Sequence, residues 1–286
     1  MNEIVIQNDR LKVLIAKPGT VYAGSRFDWT GFVTQVILDG SHTFCAYESL
    51  VPGKGTGGIG LCGAFDEIGY NEAEPGDYFP KPGIGLLRKS SDGPYSFWEQ
   101  YEVLPSAIRT ETREDSAGFV CVSPECGGYS FTLEKTLSLE GNRLLLRCRL
   151  ENTGSKPIET EEFVHNFLCV DNTPIGEGYT IRLPYRPEFD VKLGEIRIRE
   201  DGFACKTHEE DSFYLFVNGY EGVRPHYWEL RCNARGAGVR ETGDFPVSGF
   251  HIWGKDHVIS PEIFLKIALK PGEAGEWERA YEFFSW

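Results

Sequence analysis

The sequence predicts an all-β protein, and three observations carry that prediction. Runs with period-two alternation are separated by turn residues at the spacing of about 8–12 positions typical of sandwiches and barrels. No stretch reads as an amphipathic helix of three or more turns. Glycine and proline are abundant, at 33 and 16 residues, as many short strands joined by tight turns require. No shift in composition marks a linker, so residues 1–286 are expected to form one domain of large antiparallel sheets.

The elements follow in order. Residues 1–8 read as a first strand, with neither the positive start nor the long apolar stretch of a signal peptide. Residues 50–95 are dense in Gly and Pro and read as a long structureless loop, which in a compact protein is usually functional. Residues 129–139 alternate, then turn at Glu140-Gly141-Asn142. In the next run Leu144, Leu146, Cys148 and Leu150 share one face, the mark of a strand with one side on a core. Breaker residues from Asn152 to Pro157 lead to a third strand over 158–170, and the three strands are expected to form an antiparallel meander. Near the end, Ile263, Leu265, Ile267 and Leu269 share one face of a strand. A turn at Lys270-Pro271-Gly272-Glu273 and a closing strand over 276–284 follow.

Charge excludes some classes of partner. Asp and Glu number 43 against 29 Lys and Arg, a net charge of −14. Binding nucleic acid needs clustered cations against phosphates, and a polybasic membrane surface needs the same. Neither partner is expected. No apolar run is long enough to span a bilayer as a helix. The eight cysteines contain no C-x-x-C pair, and Cys121, Cys148, Cys169 and Cys205 sit in strand-like runs. They read as free thiols, which suits a cytoplasmic protein.

Four places carry residues suited to chemistry. His165 lies in Glu162-Phe163-Val164-His165-Asn166-Phe167, and alternation puts it on one face with Phe163 and Phe167. An imidazole among rings suits proton transfer near neutral pH, although a hydrogen-bonded structural histidine fits the same pattern. Glu262 follows Pro261, which is normally confined to a strand start or edge, so Glu262 is expected near a strand mouth. That position suits a general base, and equally an exposed surface glutamate. Arg26 and Lys81 are each flanked by aromatics and glycines, the composition of a sugar-binding wall, where rings stack on apolar sugar faces and cations hold hydroxyls or anionic groups. Trp253, between His251 and His257, and His226, beside Tyr227 and Trp228, complete the candidate substrate contacts. His208 with Glu209-Glu210-Asp211 reads as a solvated turn. No H-x-H, H-E-x-x-H or phosphate-loop spacing occurs, so neither a metal nor a cofactor is expected.

The histidine strand, Trp253 followed by Ser260-Pro261-Glu262, the Pro271-Gly272-Glu273 turn and the final Tyr281-Glu282-Phe283 together resemble the galactose mutarotase-like (aldose 1-epimerase) superfamily. The likeness is spread over most of the chain and is specific only around His165 and Glu262. It implies a β-supersandwich, with His165 matching the family's general acid and Glu262 its general base. Anomer interconversion needs a proton taken from the C1 hydroxyl and one given to the ring oxygen, which such a pair supplies without a cofactor. The pair is then expected to face one cleft from opposite sides of a sugar, roughly 6–9 Å apart by analogy with paired glycosidase carboxylates. The chain departs from the family where a His-Gly-Phe motif would stand, because here it reads Lys81-Pro82-Gly83-Ile84-Gly85.

The resemblance therefore implies an aldose 1-epimerase-like enzyme acting on a small-molecule carbohydrate. Arg26 and Lys81 point to an anionic sugar or an oligosaccharide end. A carbohydrate-binding or regulatory protein without turnover, and a different sugar isomerase or lyase using the same His/Glu pair, stand as alternatives.

Overall fold

The computed structural model describes residues 2–199, 202–206 and 211–286. In chain order the strands are β1 (Glu3–Gln7), β2 (Leu11–Ala16), β3 (Val33–Leu38), β4 (His42–Thr43), β5 (Gly60–Phe65), β6 (Tyr78–Lys81), β7 (Gly85–Arg88), β8 (Val103–Pro105), β9 (Ala107–Thr112), β10 (Ser116–Val122), β11 (Phe131–Glu140), β12 (Arg143–Asn152), β13 (Ile158–Phe167), β14 (Tyr179–Arg182), β15 (Glu188–Leu193), β16 (Glu195–Arg199), β17 (Gly202–Lys206), β18 (Phe213–Asn218), β19 (His226–Cys232), β20 (Ala237–Gly243), β21 (Gly249–Gly254), β22 (Ile259–Leu269) and β23 (Ala274–Ser285). Among the described residues there is no α-helix, only two 3-10 turns at Tyr70–Glu72 and Val170–Asn172. Among the described residues no helix is long and apolar enough to cross a membrane. The side chain of Cys205 and the residues 207–210, including His208, lie outside the described residues.

Two large antiparallel sheets account for most strands. The first runs β1-β2-β3-β5-β13-β22-β21-β18-β15, with β4 on β3; the second runs β14-β19-β20-β23-β12-β11-β10-β9. Alternation decides which side of each strand is buried. Leu144, Leu146, Cys148 and Leu150 of β12, and Ile263, Leu265, Ile267 and Leu269 of β22, enter one core between the sheets. Ring contacts cross that core, as Phe44 on Phe283 at 4.8 Å and Phe65 on Trp277 at 6.2 Å. A second apolar cluster, with Phe27, Phe32, Cys62, Phe79 and Phe167, covers the outer face of the first sheet. The described cysteines are unpaired, and six of the seven are buried.

Two sequence expectations change. β11 and β12 pair as expected, but β13 does not extend their meander. It crosses to the other sheet, between β5 and β22. Asn152 makes the crossing possible. Its side-chain amide donates to the carbonyls of Lys156 and Leu269, and its Oδ1 accepts from the Gly154 amide. The β22–β23 turn is likewise a crossing between sheets, and the two crossings bond to each other through Asn152 N–Glu273 O and Gly272 N–Asn152 O, both 2.9 Å. Residues 50–95 are not one structureless loop. They include β5, buried at every position, together with β6 and β7. Glycine tolerates positive φ at Gly60 and Gly83, so the same residues that look like punctuation allow tight turns into strands.

Between the sheets lies a fully buried ionic cluster. Arg279 donates to Glu162 Oε2 and Glu241 Oε1, each at 2.6 Å, and to the Ile263 carbonyl at 2.9 Å. Glu241 also accepts from Trp228 Nε1 at 2.9 Å and from Asn166 Nδ2 at 3.2 Å. Removing the cation leaves two buried carboxylates facing each other without compensation, which costs several kcal/mol. Arg279→Met is therefore expected to lower unfolding stability by about 3–5 kcal/mol in urea denaturation, with Glu162→Gln and Glu241→Gln together recovering part of the loss. A loss below about 1 kcal/mol, the scale of a surface ion pair, would show that the cluster does not hold the sheets together.

Candidate active site

Register brings His165 and Glu262 together. β13 pairs with β22 at Glu162↔Leu265, and pairing resumes beyond a gap at Leu168↔Ile259. The register is unchanged across the gap, so His165 falls opposite Glu262. Pro261 makes the gap, because it has no N–H to give to β13. Asn166 fills it: its amide N donates to Ser260 Oγ at 2.8 Å and its Nδ2 to the Pro261 carbonyl at 2.6 Å. Pro261 thus sits inside a strand paired on both sides, not at a strand mouth as its residue type suggests. Glu262 is likewise within the strand, and only 4 % exposed.

The outer face of the first sheet forms the floor of the site. Across it, register aligns Cys62, His165, Glu262, His251 and Phe216 in one row. Phe167 stacks on His165 at 3.9 Å, while Phe27 and Trp253 meet the imidazole edge to face at 5.9 and 5.4 Å. Half-buried Phe163 and Phe264 stack on each other at 4.5 Å beside the row. His165 Nε2 and Glu262 Oε1 are 3.2 Å apart. The approach lacks hydrogen-bond alignment, for Glu262 Oε1 has no such partner and neither has His165 Nδ1.

The contact corrects the expected spacing of 6–9 Å. The two oxygens that exchange a proton in anomerisation are both bonded to C1, so groups serving them need not straddle the ring. Glycosidase carboxylates stand further apart because they act on opposite faces of the sugar.

Burial sets the charges. It pushes the Glu262 carboxyl up to about 8, against smaller opposing effects of a Ser260 hydrogen bond and the Arg26 charge. Burial also holds His165 well below the ordinary imidazole range, and Arg26 adds to this. At neutral pH the pair therefore carries its proton on Glu262, with His165 neutral.

Arg26 is held at the edge of this floor. The Tyr22 hydroxyl accepts from the amides of Arg26 and Phe27. Asp28, ion-paired with buried Lys135, donates its amide to the Gly63 carbonyl of β5 at 2.8 Å. Gly83 packs so tightly on Asp28 that a Cβ there would lie 1.8 Å from its Oδ1, and its φ is +75°. The guanidinium donates to Thr56 Oγ1 at 3.0 Å, with Glu48 at 3.9 Å, and lies over Phe97 at 4.2 Å. Lys81, at the end of β6, is 3 % exposed. Its ammonium donates to the Tyr95 hydroxyl. Burial brings it down to about 8, with Glu67 and Asp66 opposing and Arg26 assisting.

Of the six residues singled out in the sequence, His165 meets both Glu262 and Trp253, and Arg26 is coupled by charge to His165, Glu262 and Lys81. His226 is not brought to this face. It lies on β19 of the second sheet, buried against Phe245 at 4.7 Å, with burial and Arg279 bringing it down to about 4. Its aromatic sequence neighbours include Trp228, which serves the core between the sheets. His251, whose role the sequence leaves open, and Tyr214, which the sequence does not single out, join this floor from β21 and β18. The signal was alternation in 249–254, which puts His251 on the Trp253 face. Among the described residues no three His, Cys, Asp or Glu side chains group as a metal-binding set.

No family model matches the chain, and no curated protein matches it in sequence. Solved structures do match. A galactose mutarotase related enzyme of Lactobacillus acidophilus is 13% identical, with 99% of this chain and 97% of that one covered and a TM-score of 0.63. A galactose mutarotase-like protein of Lactobacillus casei is 12% identical over 99% and 100% of the two chains, at 0.60. An aldose epimerase homologue of C. elegans is 11% identical over 99% and 98%, at 0.55. Likeness at this identity establishes the fold, which is galactose mutarotase-like.

The raised carboxyl predicts a pH effect on stability. The folded state holds the Glu262 proton more tightly than the unfolded chain does, so its contribution is complete below about pH 4.5 and is lost as pH rises through about 8. Gln at this position cannot titrate. The melting temperature of the parent protein should therefore fall relative to Glu262→Gln between pH 6 and pH 9, and a constant difference between the two would refute the assignment.

Proposed function

We propose that this chain is an aldose 1-epimerase-like enzyme that interconverts sugar anomers, with His165 and Glu262 as the proton-transfer pair. The observation that carries the reading is their buried 3.2 Å contact on a ring-lined sheet face, with a polar atom of each left without a hydrogen-bond partner. Buried unsatisfied polar atoms are uncommon unless they serve a purpose. Nearest-neighbour geometry on one sheet face suits a reaction at two oxygens of one carbon.

The protonation pattern gives the step its direction. Neutral His165 takes the proton of the C1 hydroxyl while the Glu262 carboxylic acid gives its proton to the ring oxygen. The C1–ring oxygen bond breaks and C1 becomes the aldehyde carbon. Rotation about C1–C2 and reclosure from the other face run the transfers backwards and restore both groups. This reverses the acid and base roles that family resemblance implies for the opening step. Arg26, whose charge opposes an imidazolium at His165, also favours negative charge developing on the sugar oxygens.

The substrate in this reading is a sugar bearing a carboxylate or phosphate. Supporting it, among the described residues one carboxylate, that of Glu48, lies within 4 Å of Arg26, at 3.9 Å, and its other oxygen is engaged by Thr56 and the Gly58 amide. Lys81 has the neutral Tyr95 hydroxyl as its hydrogen-bond partner. A sugar-binding protein without turnover is the second reading, and the near-complete burial of the pair favours it.

Anomer exchange measured by NMR across neutral and anionic aldoses separates these readings. The enzyme reading expects exchange that Glu262→Gln and His165→Asn each slow by about 10²–10⁴-fold, with sugar binding retained. It also expects an alkaline fall in rate near pH 8 that is absent from Glu262→Gln. Binding without exchange would leave the non-catalytic reading, and equal rates on neutral and anionic sugars would remove the anionic substrate.

A further inference from the structure

Beyond the His165–Glu262 pair, the same sheet face holds a second pair, and this one is hydrogen-bonded. His251 is the register partner of Glu262 on the next strand, β21. Its Nδ1 is 2.8 Å from the hydroxyl of Tyr214 on β18. The ring is clamped by Phe216, stacked at 4.3 Å, and by Phe264 at 4.4 Å. Tyr214 is close enough to Glu262 for the carboxylate to help raise its hydroxyl, after burial itself. Unlike His165 and Glu262, His251 and Tyr214 are half-buried, as are Trp253, Phe163 and Phe264 around them. The floor therefore opens toward solvent on the His251 side and closes on the His165 side. Gly249 borders the ring without a side chain of its own: a Cβ built there would lie 3.6 Å from Nε2.

We propose that His251, oriented by Tyr214, is the residue that selects among sugars by hydrogen-bonding one ring hydroxyl of a substrate whose C1 lies at His165 and Glu262. The inference rests on the sugar reading of this face and deepens it. The chemistry is specific. With the Tyr214 hydroxyl donating to Nδ1, the neutral ring presents an Nε2–H to a sugar oxygen; with Nδ1–H donating to the Tyr214 oxygen, Nε2 accepts from a sugar hydroxyl instead. Burial keeps the ring neutral across the physiological range, bringing it down to about 4. Phe163, Phe216 and Phe264 carry no polar atom, so the imidazole is a polar point set in apolar surface, with the Trp253 indole on the neighbouring strand position. A site built around one such group rejects an analogue that lacks the matching hydroxyl, because the imidazole nitrogen that the bound sugar covers is then left unpaired.

The test is binding, which does not depend on turnover. Saturation-transfer NMR and calorimetry would compare the intact protein, His251→Phe and Tyr214→Phe against D-aldoses, their uronic acid and 6-phosphate forms, and the monodeoxy analogue at each ring position of the best binder. The intact protein should bind the parent sugar about tenfold better than one particular deoxy analogue. His251→Phe should lose about that factor for the parent and nothing for that analogue. Tyr214→Phe, which removes one oxygen and keeps the ring packing, should lose part of it. Equal weakening of every sugar in His251→Phe, or full discrimination retained in it, would overturn the selection role while leaving the sugar reading in place. Failure of all these sugars to bind the intact protein would overturn both. Melting temperatures of the two variants, and the partial effect of Tyr214→Phe, separate lost selection from misfolding.

Discussion

Much of this structure hangs on the Arg279 guanidinium. It reaches both strands that carry the His165–Glu262 pair, through the Glu162 carboxylate on β13 and the Ile263 carbonyl on β22. It also reaches the opposite sheet through Glu241. Asn166, adjacent to His165 in sequence, faces the same cluster from behind and closes the ladder gap at Pro261. A buried charge in so many directed bonds permits few alternative placements of its strands. The cluster's contribution is as much to positioning as to net stability, since a buried ion pair gives back much of its attraction in lost hydration.

The two faces of the first sheet use burial differently. Toward the second sheet, charges are compensated: Arg279 stands between two carboxylates. Asp28 likewise has Lys135, which projects from β11 of the second sheet; on the outer face Glu262 and His165 have each other only as neutral partners, and Lys81 has a hydroxyl. The same desolvation therefore gives a rigid ionic joint on one side and a proton held in an unusual place on the other. Such displaced protons gather where chemistry is done, although structural ion networks displace them too.

The sequence made part of this legible and hid the rest for physical reasons. Period-two patterns located the strands of residues 129–170 and 259–285, and the apolar face of β22 was read residue by residue. Strand partnership was not legible, since a short Asn-Thr-Gly or Pro-Gly-Glu turn looks the same whether it closes a hairpin or crosses between sheets. β5 was hidden because Gly60, Gly63 and Ala64 carry little of the bulky β-branched signature by which strands are recognised. Arg26 and Lys81 stood out through aromatic neighbours in the sequence, yet apart from Phe27 the rings that meet them, Phe97, Trp98 and Tyr95, come from a later segment. The tie between His251 and Tyr214 joins residues 37 positions apart, and only sheet register reveals it. His226 shows the converse: a histidine among aromatics reads alike whether its strand faces a cleft or the core between sheets.

The stitched crossings carry a consequence for how the chain is made. β22 and β23 supply the central neighbours of β13 and β12, one in each sheet. β23 also brings Arg279. A ribosome that has released only the first 250 or so residues holds two incomplete sheets, with the carboxylates of Glu162 and Glu241 still lacking their cation. Non-local pairing of this kind is slow, and exposed strand edges invite association with other chains meanwhile. The ionic joint between the sheets therefore closes only after residues 274–285 have emerged.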